Sequence, residues 1–152
     1  MIYGFGNPGR QDDGLGIFLA EKLENWKNQN QLDNISVEVN YQLNIEDSAD
    51  ISEKDIVIFV DATEENINDF CFEEIRPSSV QEYSMHSISP NFVLFLSENI
   101  FNKKPQAFIL KMQGYKWNLK EGLSKKAERN LQRATEFMKE YLIHFKISKN
   151  TV

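Results

Sequence analysis

Apolar residues along the chain alternate between short unbroken runs and helical repeats. The run at residues 56–60 is entirely apolar and mostly β-branched, which is the pattern of a strand covered on both faces of a sheet. Across residues 15–27 the apolar positions recur every three or four residues, which predicts an amphipathic helix. Strands that alternate with helices predict crossover connections and a largely parallel sheet, hence an α/β fold.

Shorter patterns and cap residues predict the remaining elements. Ser89 and Pro90 form a helix start, with serine as the N-cap and proline in the first helical position. Ser124 can cap a long amphipathic helix, and residues 70–75 suit an antiparallel edge strand close to the central run. We expect strands at residues 1–3, 35–43, 56–60, 70–75 and 107–112, and helices at 15–27, 45–50, 90–100 and after 124.

Composition narrows the class of protein further. The 152 residues include 17 basic and 23 acidic side chains, a net charge of −6. This length predicts a single domain over residues 1–152, and the acidic excess argues against a nucleic-acid or membrane partner. One cysteine can form neither an internal disulfide nor a thiolate metal site. Because no secretory signal or long apolar run is evident, we expect a cytoplasmic protein.

The candidate functional residues lie near the carboxyl ends of the predicted strands. Ligands of a doubly wound sheet gather beyond the carboxyl ends of its strands. Asp12 and Asp13 follow the first strand, Asp61 follows the central strand, and His86 precedes the helix that begins after Ser89. Carboxylates and an imidazole from three loops could hold a divalent metal such as zinc or nickel and leave positions open for water or substrate.

Each of these residues also has a simpler interpretation. A cap on the following helix is the better account of Asp12, because a carboxylate there accepts backbone N–H groups. The N-cap of one helix needs only one side chain, however, so this role does not explain the second aspartate, Asp13. Asp61 could be a turn residue, and an isolated His86 is more often an ordinary surface histidine.

The glycine-rich N-terminus does not indicate a nucleotide site. Its sequence GFGNPGRQDDGLG lacks the GxGxxG spacing. Pro8 stands where backbone donors would face a pyrophosphate, and the aspartate pair would repel it. We exclude nucleotide binding.

These same residues resemble a known family. GFGNPGRQDDGLG is similar to the N-terminal signature of the [NiFe]-hydrogenase maturation endopeptidases. DIVIFVDA at residues 55–62 resembles the family's third strand with its terminal aspartate, and SMHSISP at 84–90 resembles its histidine segment. QG at 113–114 and EGLS at 121–124 resemble its last strand exit and final helix start. The resemblance runs in order along nearly the whole chain.

The resemblance implies a fold and an activity. The fold would be a three-layer α/β/α sandwich with a twisted, mostly parallel five-stranded sheet. The protein would be a monomeric hydrolase that removes a C-terminal extension from the nickel-loaded large-subunit precursor of a [NiFe] hydrogenase. The matching metal-contacting and catalytic residues are Asp13, Asp61 and His86. Nickel would come from the client protein, and zinc or cadmium could substitute for it.

Two other functions stay open at this point. Residues 41–47 replace a glycine-rich stretch of many family members, so a non-catalytic maturation factor that binds metal and client is one alternative. GFGNPG also resembles the opening of peptidyl-tRNA hydrolase, but here Gln11, Asp12 and Asp13 follow in place of that enzyme's histidine segment. The acidic charge also disfavours tRNA.

Overall fold

A single five-stranded sheet organises the chain. The computed structural model describes residues 1–80 and 88–149. The strands lie in the order β2-β1-β3-β5-β4, all parallel except the antiparallel edge strand β4. They are β1 (Ile2–Phe5), β2 (Val37–Asn40), β3 (Ile56–Thr63), β4 (Phe70–Ile75) and β5 (Gln106–Gln113). A 3-10 turn (Gln11–Gly14) precedes α1 (Leu15–Gln29), and α2 (Asp47–Ser52), α3 (Pro90–Phe101) and α4 (Lys125–Lys149) follow.

Helices cover both faces of this sheet, which confirms the predicted α/β fold. Helices α1 and α4 pack on one face, against side chains that include Ile58 and Val60. Helices α2 and α3 pack on the other face, against side chains that include Val57 and Phe59. Alternate residues of β3 therefore belong to different cores, and this explains why the run at 56–60 is apolar throughout.

The predicted helix starts are confirmed by their hydrogen bonds. The Ser89 side chain accepts from the Phe92 N–H at 3.3 Å, with Pro90 in the first turn of α3. Ser124 Oγ accepts from the Ala127 N–H at 3.3 Å, at the start of α4. The edge strand at residues 70–75 is also where the sequence predicts it.

Two strand ends differ from the prediction. β2 is shorter, because the chain turns away from the sheet after Asn40 to bury Leu43 beneath α2 and α3. β3 is longer, because residues 61–63 continue to pair with residues 111–113 of β5. Asp61 is therefore a strand residue, so the prediction that it follows the strand is wrong, and so is the alternative that it is a turn residue.

His86 lies outside the described residues, so its place relative to the sheet stays a prediction. Among the helices that the structure describes, none is both long and apolar enough to cross a membrane.

Candidate functional site

Two glycines bring α1 down onto the carboxyl edge of the sheet. A Cβ on Gly16 would lie 2.4 Å from the carbonyl oxygens of both Phe5 and Val60, so only glycine lets the helix approach the ends of β1 and β3 this closely. Gly6 has a φ of +137°, and a Cβ there would lie 2.0 Å from the Asp13 carbonyl oxygen. The glycine motif thus serves close packing that places Asp13 beside β1 and β3.

Asp12 is a structural residue, although not in the way the sequence suggests. Its side chain is 0% exposed. Its carboxylate accepts the N–H groups of Tyr115, Lys116 and Ser124 and the Ser124 hydroxyl, at 2.7–3.0 Å. α1 itself has no side-chain cap, so the predicted cap on the following helix is wrong. Asp12 instead holds the loop after β5 and the start of α4.

Asp13 turns to the open side of the same 3-10 turn. Its side chain is 24% exposed, and Arg10 Nη1 lies 3.8 Å from Asp13 Oδ2. Burial raises the pKa of Asp13 above its usual value; the Arg10 charge and a hydrogen bond from the Asn7 N–H oppose this, and the Glu64 charge adds to it. Asp13 is therefore a carboxylate whose negative charge is only partly compensated.

Asp61 extends the same site from the neighbouring strand. Burial raises the pKa of Asp61 from 3.8 to about 7; the Ala62 N–H, which donates to Oδ1 at 2.8 Å, opposes the rise. The charge of Asp13 raises this pKa further, and the charge of Lys111 lowers it. The two carboxylates are thus close enough to interact, as the sequence predicts for residues at one edge of the sheet.

Lys111 is a charged neighbour that the sequence prediction missed. It pairs with Asp61 in the register of β3 and β5. Its ammonium lies 3.7 Å from Glu65 and 3.9 Å from Glu73, so its charge is shared among several acids. A lysine inside the otherwise apolar run AFILKM was the available signal for a polar environment at that position.

The third predicted residue, His86, falls outside the described residues. Among residues 1–80 and 88–149, no three His, Cys, Asp or Glu side chains form a metal-binding group. Of the three predicted residues, Asp13 and Asp61 are linked by the effect of the Asp13 charge on the pKa of Asp61, and nothing is described of the histidine. Carboxylates can bind a cation through oxygen, and Asp61, whose pKa is about 7, can instead take up a proton near neutral pH.

Solved structures share this arrangement of strands and helices. No protein-family model matches the sequence, and no curated protein sequence matches it. The [NiFe] hydrogenase maturation protease HycI from Thermococcus kodakarensis KOD1 superposes with a TM-score of 0.68 at 21% identity, over 91% of this chain and 88% of HycI. The chain has the fold of the [NiFe] hydrogenase maturation proteases.

Further structures with the maturation protease fold give the same result. The hydrogenase maturating endopeptidase HybD from E. coli has a TM-score of 0.62 at 19% identity, over 94% of this chain and 91% of HybD. HybD from Thermococcus kodakarensis has a TM-score of 0.61 at 15% identity, over 92% and 96% of the two chains. Identities this low establish the maturation protease fold, while activity has to be argued from the site.

Proposed function

We propose that this protein is an endopeptidase that removes a C-terminal extension from the nickel-loaded large subunit of a [NiFe] hydrogenase. The observation that carries the proposal is the interacting pair Asp13 and Asp61 at the carboxyl edge of the sheet. Its support is threefold: the pair stands where an α/β sheet binds ligands, the fold is that of proteins named hydrogenase maturation proteases, and the sequence resembles that family along its length.

The donor set suits nickel carried by the client. Asp13 and Asp61 supply carboxylate oxygens, and we assign the imidazole of His86 as the third donor; oxygen and nitrogen ligands suit nickel, zinc or cadmium. The client's nickel would thus be part of the substrate that the enzyme recognises. Because burial raises the pKa of Asp61 to about 7, cation binding at this carboxyl group displaces a proton near neutral pH, and nickel affinity should rise as the pH is raised through about 7.

Each carboxylate is oriented by the backbone. The Ala62 N–H donates to Asp61 Oδ1 at 2.8 Å, and a hydrogen bond from the Asn7 backbone opposes the rise that burial causes in the pKa of Asp13, so both carboxylates interact with backbone donors before the client binds. When bound, nickel supplies positive charge that polarises the scissile carbonyl. Water adds to that carbonyl, and a carboxylate of the pair that does not contact the metal in that step would accept the water's proton and pass it to the nitrogen of the leaving peptide.

The decisive experiment compares nickel-loaded and nickel-free large-subunit precursor. Each is incubated with the protein, and loss of the C-terminal extension is followed by gel mobility and intact mass. We expect shortening of the nickel-loaded precursor alone. Binding of the precursor without shortening would contradict proteolysis and favour the maturation factor that only binds.

A further inference from the structure

The loop that follows β2 carries two large apolar side chains in solvent. We define the 41–47 loop as the residues that follow β2, up to and including Asp47, the first residue of α2. In this loop the side chains of Tyr41 and Ile45 are 68% and 54% exposed. Between them, Leu43 is 2% exposed and packs in the core beneath α2 and α3. The loop is thus fixed to the protein by one side chain and presents the other two outward.

A hydrogen-bond network closes the base of this loop. Burial raises the pKa of the Tyr3 hydroxyl, its interaction with Asp47 raises this pKa further, and its interaction with Asn40 lowers it. Asn40 Oδ1 accepts the Tyr41 N–H at 2.9 Å, and Asp47 Oδ2 accepts the Asn44 N–H at 2.7 Å. The loop is therefore held in one conformation before any partner arrives, which reduces the entropy that binding must overcome.

The loop leaves the sheet at the same edge as the carboxylate pair. Val39 of β2 and Val60 of β3 both pair with Gly4 of the intervening strand β1, so they are level and roughly 10 Å apart, two strand spacings. Tyr41 and Asp61 follow these positions by two residues and one residue. A single extended peptide of a few residues can reach from one to the other.

The chain segment that carries the loop has charges of one sign. Residues 28–53 contain six acidic side chains and no lysine, arginine or histidine. Of the acids near the loop, Glu38, Glu46 and Asp50 are exposed. A partner that meets this surface must offer apolar side chains to Tyr41 and Ile45 and basic side chains to the acids around them.

We propose that the 41–47 loop is a docking surface for an apolar segment of the client polypeptide that is flanked by lysine or arginine. The inference rests on the proposed function, since it places this segment beside the bond to be cut. Tyr41 and Ile45 are the anchors, because an aromatic and an aliphatic side chain on a rigid loop lose little entropy when a partner covers them.

The test measures binding and cleavage of purified nickel-loaded large-subunit precursor separately. The variant Tyr41→Ser/Ile45→Ser removes both anchors from solvent-exposed positions. The matched control is Ile100→Ser, because Ile100 is 60% exposed near the end of α3. We expect the double variant to raise Kd and KM by about tenfold or more with kcat unchanged, and the control to behave as wild type. Wild-type binding should weaken as NaCl is added, since exposed charges are screened.

The outcomes separate this inference from the proposed function. A double variant with wild-type Kd and KM would overturn the docking surface while leaving proteolysis intact. A wild-type protein that binds the precursor through these anchors but does not cut it would overturn proteolysis and leave the docking surface standing. An Asp13→Asn variant that binds normally and does not cleave would agree with both, and absence of both binding and cleavage in the wild type would contradict both.

Discussion

Replacing Asp61 with asparagine should stabilise the protein at neutral and alkaline pH. The carboxyl group is buried beside Asp13, and its pKa in the folded protein is about 7, against 3.8 without these surroundings. Ionisation of Asp61 therefore lowers the free energy of unfolding. Asparagine has nearly the same shape, can still accept the Ala62 N–H, and carries no charge.

The magnitude follows from proton linkage. A carboxyl group whose pKa is higher in the folded than in the unfolded protein lowers the free energy of unfolding when it ionises. This loss of stability is nearly absent below pH 3.8 and grows as the pH rises towards 7. At about 1.4 kcal/mol for each pH unit between the two values, the loss approaches about 4 kcal/mol at pH 8 and is only about half a kcal/mol at pH 4. The gain from Asp61→Asn should follow the same curve.

The assay is urea unfolding of both proteins at pH 4, 6 and 8, with Asp50→Asn as the control because Asp50 is exposed. We expect the variant's advantage in the free energy of unfolding to increase with pH, while the control stays within about 0.5 kcal/mol of wild type. An advantage that is absent at pH 8, or that is equal at pH 4 and pH 8, would refute the reasoning. It would mean that Asp61 is solvated well enough to ionise freely.

The other predictions also concern stability, measured by urea unfolding at pH 7. Asp12→Ala should lose about 3–5 kcal/mol, because it leaves buried donors near α4 unpaired; a loss below 1 kcal/mol would contradict the structural role of Asp12. Gly16→Ala should lose about 1–3 kcal/mol, because its Cβ would overlap two carbonyl oxygens, and an unchanged midpoint would contradict that packing. Tyr3→Phe should lose about 1–2 kcal/mol and speed amide exchange in the 41–47 loop; unchanged exchange would show that the hydroxyl does not hold the loop.

Much of the fold could be predicted because its signals are local. The apolar run at 56–60 identifies the central strand, and the cap residues Ser89 and Ser124 identify two helix starts within one residue. Each signal depends on neighbours within a few positions along the chain. The same holds for the helical repeat of α1.

The site could be predicted only in part, because its interactions join distant parts of the sequence. Asp12 binds groups more than 100 residues away, so nothing near it in the sequence reveals its partners. Strand pairing places Lys111 beside Asp61, and pairing is set by tertiary packing. The charge of Asp13 does raise the pKa of Asp61, as expected of residues that follow or end parallel strands at a common edge.

The most direct test of the central claim is the intact mass of nickel-loaded large-subunit precursor after incubation with wild type, Asp13→Asn, Asp61→Asn or the control Asp33→Asn, an exposed acid that precedes β2, each protein first shown to be folded. We predict that wild type and the control shorten the precursor by its C-terminal extension and that the two site variants leave it at full length. Full cleavage by Asp13→Asn or Asp61→Asn would contradict the assignment of this carboxylate pair as the catalytic centre.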